Sequence, residues 1–137
     1  MNIYFAGSIR GGRNDQELYA SIISELQKYG TVLTEHIGHK SLGIDGEMKY
    51  TDKEIYEKDV KLIAEADLVV AEVTNVSLGV GYELGHSESL KKPVVCLFRE
   101  IDGKKLSAMI NGNSYFKVLV YTDLEDASNK LKEFFNK

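Results

Sequence analysis

A single cysteine in 137 residues excludes a disulfide framework and leaves no thiolate set for a metal cluster. That residue, Cys96, sits in the apolar run VVCLF, where a thiol packs as a small hydrophobe. No apolar run is long enough to span a bilayer, and no leader precedes NIYFAG, so a cytoplasmic protein without a membrane partner is expected. An excess of basic charge is also missing. Seventeen Lys and Arg face twenty-one Asp and Glu, a formal charge of −4, which argues against long nucleic acid as a partner while allowing a local site for a small anion. Repeats, low-complexity tracts and linkers are absent, so one domain over residues 1–137 is expected. His36, His39 and His86 share no ligand-like spacing, and neither a metal nor a cofactor is called for.

What is present is an alternation of short apolar runs and helical patterns, with enough hydrophobic residues (43%) to bury a core. NIYFAG, TVLT, DLVVAEV, PVVCLF and YFKVLVY read as five strands, apolar enough to be covered on both faces. Asn14-x-x-Glu17, Thr51-x-x-Glu54 and Thr122-x-x-Glu125 fit capping boxes and mark three helix starts, and KKLSAMI predicts a shorter helix. The pattern predicts an α/β fold: a doubly wound, Rossmann-like or flavodoxin-like five-stranded parallel sheet with helices on both faces. Ligands of such sheets bind beyond the carboxyl ends of the strands.

Three stretches at those ends carry candidate chemistry. GSIRGG, residues 7–12, follows a strand and precedes a helix; it reads either as a cradle for an anion, with Arg10 and Arg13 nearby, or as a tight turn. The helix opened by Thr51 has an apolar stripe of Ile55, Leu62, Ile63 and Ala66, and Asp59 falls within that stripe. A carboxylate there is either paired at the edge of a cleft or bent out to water. SLGVGYELG, residues 77–85, surrounds Glu83 with glycines, each costing a helix roughly 1 kcal/mol against alanine. The glycines leave room either for a flat ligand beside the acid or for close helix–sheet packing. Near a helix start the dipole is expected to keep Glu83 ionised, as a nucleophile requires. Two carboxylates and an anion loop suggest cleavage of a glycosidic bond, with Glu72 a rival for either acid's role. The segment HIGHKSLGIDGEMKY, long and Gly-bearing, reads over residues 37–50 as a lid or simply as a mobile loop.

YFAGSIRGGRNDQELY, VLTEH, ADLVVAEVTNVSLGVGYELG and LSAMI strongly resemble, in the same order, the Rcl-type 2'-deoxynucleoside 5'-monophosphate N-glycosidases of the nucleoside 2-deoxyribosyltransferase superfamily. The resemblance covers nearly the whole chain. It implies a homodimer that hydrolyses the base–sugar bond to free base and 2-deoxyribose 5-phosphate through a covalent glutamyl-sugar intermediate. Carried over by motif, Glu83 is the implied nucleophile, Asp59 the general acid/base and Tyr4 the phenol holding the nucleophile. Ser8, Ile9, Arg10 and Gly11 of the glycine-rich loop, together with Ser77, are the implied 5'-phosphate site, and Ser107 the phosphate ligand supplied by the other subunit. Gly7, His36, Gly79 and Met109 complete the implied substrate-contacting set. Residues 38–50 match the family poorly and are expected near the base, so the preferred base stays open. Three other functions remain compatible: a transferase passing deoxyribose between bases, a pyrimidine ribonucleotide N-glycosidase, and a nucleotide sensor without turnover.

Overall fold

The computed structural model describes residues 1–8, 13–34 and 50–137. Among these, five strands form one parallel sheet: β1 (Asn2–Ala6), β2 (Thr31–Val32), β3 (Leu68–Glu72), β4 (Val94–Arg99) and β5 (Lys117–Tyr121). The order is β2-β1-β3-β4-β5, the flavodoxin-like version of a doubly wound sheet. The connecting helices are α1 (Arg13–Leu26), α2 (Asp52–Glu65), α3 (Leu78–Ser89), α4 (Ala108–Asn111) and α5 (Leu124–Phe135).

Side chains alternate across each strand, so the sheet builds two cores. Ile3 and Phe5 of β1, Leu68 and Val70 of β3, and Val95 and Leu97 of β4 pack against Tyr19, Ile22 and Leu26 of α1 and Leu131 of α5. Tyr4 and Ala6, Val69 and Ala71, and Val94 and Cys96 face the other way, onto Ile63 of α2 and Val80 and Leu84 of α3. Cys96 is buried there, as its apolar run predicts. β2 is shorter than TVLT suggests. Beyond it, the buried Thr34 side chain takes over from the ladder: its hydroxyl accepts from the Phe5 amide at 2.8 Å and donates to the Phe5 carbonyl.

Thr51 caps α2 as expected: its side chain accepts from the Glu54 amide, and Glu54 reaches back to the Thr51 amide. The other two expected starts move, that of α1 by two residues and that of α5 by one. α1 begins at Arg13, which puts Asn14 inside the helix, and α5 is capped by Asp123, which accepts from the Asp126 amide at 2.9 Å. Thr122 instead donates its backbone N–H to the Asp126 carboxylate. The apolar stripe on α2 is also shorter than predicted. Residues 51–58 are all exposed, Ile55 among them, and the helix meets the core only through Leu62, Ile63 and the following Ala66. Its first half thus stands clear of the sheet and borders the space beyond the strand ends.

Candidate active site

At the carboxyl end of β1, against α2 and α3, lies a cleft of about 470 Å³. It brings together Tyr4, Gly7, Asp59, Ser77, Gly79 and Glu83, all of which the sequence had singled out. β1 supplies Tyr4 on the α2/α3 face, and Gly7 follows directly. α2 supplies Asp59 from the point where that helix meets the core, and α3 supplies Glu83 from its second turn. Tyr4 is almost fully buried, and its hydroxyl donates a short hydrogen bond to Glu83 Oε2. The backbone carbonyl of Glu83 accepts from the buried Ser87 hydroxyl at 2.7 Å, which anchors the turn behind the acid.

The electrostatics differ from the expectation of a readily ionised glutamate. Burial pushes the Glu83 carboxyl up to about 7; the Tyr4 hydrogen bond pulls it down and the Asp59 charge pushes it further up. The helix dipole is weak here because Glu83 lies beyond the first turn of α3, which starts at Leu78 behind the Ser77 cap. Burial raises Asp59 as well, opposed by the Lys58 ammonium. The Tyr4 phenol is driven far up, by burial first and then by the charges of Glu83 and Asp59, so it remains a donor throughout the physiological range. Two carboxyl groups that both resist ionisation face one cleft, and the hydrogen-bond donor is on Glu83.

The question of the glycines is answered by position. A Cβ on Gly79 would meet only the Ser77 hydroxyl, at 3.9 Å, and one on Gly81 or Gly85 would meet nothing within 4 Å. Close packing against the sheet is therefore not their reason. Gly79 opens the cleft, while Gly81 and Gly85 lie on the exposed face of α3.

Other expected residues lie elsewhere. Ser8 is buried next to Gly7 but is not among the cleft's lining residues. The Ser77 hydroxyl accepts from the Val80 amide at 3.2 Å as the cap of α3, while lining the cleft. Ser107 caps α4 and Met109 is 81% exposed on it; neither lines this cleft. Ile9, Arg10, Gly11, His36 and nearly all of the segment 38–50 lie outside the described residues. Glu72 is on the opposite face of the sheet, accepting from the Thr74 amide and hydroxyl, both at 2.8 Å, and from the Tyr121 hydroxyl. It cannot act in this cleft. Beside the apolar Val60, Leu78 and Val80, two polar lining residues were missed: Tyr56 on α2 and Tyr82 on α3, half exposed at the mouth with their hydroxyls 3.4 Å apart. Their signal is in the sequence, since Tyr56 is one turn before Asp59 and Tyr82 adjoins Glu83.

The model of the family described as nucleoside 2-deoxyribosyltransferase matches residues 3–125. A 5-hydroxymethyl-dUMP N-hydrolase of Danio rerio is 51% identical over 138 residues, covering 98% of this chain and 96% of that protein. The Homo sapiens protein of the same name is 50% identical over 127 residues, covering 90% and 73%. Among solved structures, the Clostridium botulinum CMP N-glycosidase BcmB superposes with a TM-score of 0.69 at 17% identity, covering 98% and 99% of the two chains, a likeness of fold.

The raised Glu83 carboxyl has a consequence for stability. Between the unfolded value of about 4.5 and the folded value of about 7, the native state binds the extra proton, so this group weakens the fold as pH rises through that window. Glu83→Gln is expected to raise the melting temperature at pH 8, by an amount reflecting on the order of 1–3 kcal/mol, and to change it little at pH 4. Thermal unfolding at both pH values checks this; an equal effect at both contradicts the burial reading.

Proposed function

From the premise that the chain belongs to the nucleoside 2-deoxyribosyltransferase family, we propose that it hydrolyses the N-glycosidic bond of 2'-deoxynucleoside 5'-monophosphates, releasing free base and 2-deoxyribose 5-phosphate. The observation that carries the reading is the pairing of two half-buried carboxyl groups in one cleft, one of them held by a buried phenol. The names of the Danio and human relatives make 5-hydroxymethyl-dUMP the first substrate to test. The reaction suits the cytoplasm, where free nucleotides are found; among the described residues no helix is long and apolar enough to cross a membrane.

Glu83, ionised and steered by Tyr4, attacks C1' of the sugar. The C1'–N bond breaks as Asp59 delivers its proton to the departing base, and a C1'–O bond to Glu83 forms. Asp59, now a carboxylate, takes a proton from water. The oxygen of that water attacks C1', the ester to Glu83 breaks, and the sugar phosphate leaves with both acids restored. The environments bear on these roles: the Tyr4 donor favours the Glu83 anion against the burial that raises that carboxyl, and burial raises Asp59 as well, toward the form that can donate. The 5'-phosphate is assigned to the glycine-rich loop, with Ser8, Ile9, Arg10 and Gly11, and to Ser77. Binding energy from this remote group positions the reacting carbon.

The working unit in this reading is a homodimer in which Ser107 completes the neighbour's phosphate site. Support comes from the surface. Val76 is 100% exposed, Leu78 93% and Met109 81%, and the bare Gly81 and Gly85 positions flatten the adjoining face of α3. Apolar side chains so fully in water are consistent with a surface that a second copy covers.

Two experiments test the proposal. Chromatography of reactions with a panel of deoxynucleotides, ribonucleotides and nucleosides is expected to show free base from deoxynucleoside monophosphates and little from nucleosides. Equal turnover of deoxynucleosides and their monophosphates contradicts the phosphate assignment and favours deoxyribosyl transfer. The second concerns the shared site. Glu83→Ala and Ser107→Asp are each expected to be inactive, the latter because a carboxylate repels the phosphate. Refolded together, about half the dimers are mixed and roughly a quarter of all sites combine an intact Glu83 with an intact Ser107, so activity returns. A mixture as inactive as its components, with subunit exchange demonstrated, rules out sharing.

A further inference from the structure

A second polar network lies on the face of the sheet away from the cleft. Asp15, in the first turn of α1, is 9% exposed. One of its carboxylate oxygens accepts from Asn75 Nδ2 at 2.5 Å, the other from an Arg99 terminal nitrogen at 3.3 Å. Asn75 stands two residues before the Ser77 cap of α3, and its Oδ1 accepts from Lys104 Nζ at 2.9 Å. Both ends of the carboxamide are therefore used, and a flip would set its oxygen against the Asp15 carboxylate. Next to Asn75 in the chain, the Thr74 hydroxyl accepts from the Arg99 backbone amide at 2.8 Å while bonding to Glu72.

One turn after Asp15 on the same face of α1 comes Tyr19, 1% exposed. Its ring lies directly under Gly7: a Cβ there would sit 3.0 Å from Tyr19 Cε2. α1 thus touches both described segments that border the phosphate end of the cleft. Tyr19 supports the end of β1, and Asp15 grips the loop that leads into α3.

We propose that Asp15 and Asn75 are positioning residues, whose hydrogen bond sets the spacing between the Gly7–Ser8 segment and Ser77 and so prepares the cleft to receive a sugar phosphate. The inference rests on the phosphate assignment made above. It joins residues sixty positions apart, one in the first turn of α1 and one in the loop before α3, and a misplacement of that loop by about 1 Å can cost on the order of a hundredfold in rate.

The test exchanges the two groups. N75D sets two carboxylates against each other and is expected to weaken the binding of 2-deoxyribose 5-phosphate, measured by calorimetry, by about tenfold or more, with KM for the monophosphate rising in step. The double variant D15N/N75D restores an amide–carboxylate pair with the roles reversed, and Lys104 then faces a carboxylate. Its affinity is expected to return to within about threefold of wild type, which a purely structural role does not require. The proposal is overturned if N75D lowers the melting temperature but binds the sugar phosphate as wild type does, if the double variant is no better than N75D, or if the wild-type protein binds no sugar phosphate. Wild-type protein that binds sugar phosphate but releases no base defeats the hydrolase reading alone, and the affinities still decide this one.

Discussion

The half-buried hydrogen bond from Tyr4 to Glu83 is the contact on which the site depends. It joins a central strand to the helix that carries the proposed nucleophile, and its phenol is almost fully buried. A carboxyl group in that position costs free energy to ionise, which is why burial drives it up to about 7. Without the phenol the same burial would leave a neutral acid of little nucleophilic use. The fold accepts a less stable second turn of α3 in exchange for a group poised near neutral pH.

The parallel sheet makes this possible through simple alternation. Odd and even positions of β1 and β3 face different helix layers, so the strand ends carry two separate polar centres. Tyr4 points to α2 and α3 and meets Glu83. Glu72, at the end of β3, points to the α1 and α5 side, where Thr74 and Tyr121 satisfy it. The first centre faces a cleft and the second holds the loop that leads into α3. Acidic residues of the same type thus divide into one that faces the cleft and one that is tied up in the fold, according to the face of the sheet on which each lies.

Much of this was legible in the sequence. Five apolar runs and the periodicity between them are enough for the sheet and its helices, and the position of Asp59 among apolar neighbours foretold its place in the cleft. Glu83, Gly79 and Ser77 share one short segment, so one helix start delivers all three. The misses have physical causes. Capping boxes specify a spacing but not which of two adjacent polar residues takes the cap, as Thr122 and Asp123 show. Periodicity assigns a face but not how far a helix overhangs the core, hence the exposed Ile55. The ionisation of Glu83 depends on burial by residues distant in sequence, which local dipole reasoning omits. Tyr56 and Tyr82 become neighbours only when α2 and α3 pack, and the Asp15–Asn75 bond spans sixty residues.

The central claim is that Glu83 forms a bond to the sugar during turnover. Its most direct test is intact-mass analysis, followed by peptide mapping, of the enzyme incubated with a 2'-fluorinated arabinonucleoside monophosphate, whose electron-withdrawing fluorine slows breakdown of a glycosyl ester. The account predicts one sugar phosphate added per active site, located on the peptide that carries Glu83 and absent in Glu83→Ala. An adduct on another residue, or base release from this compound with no adduct at any time, contradicts it.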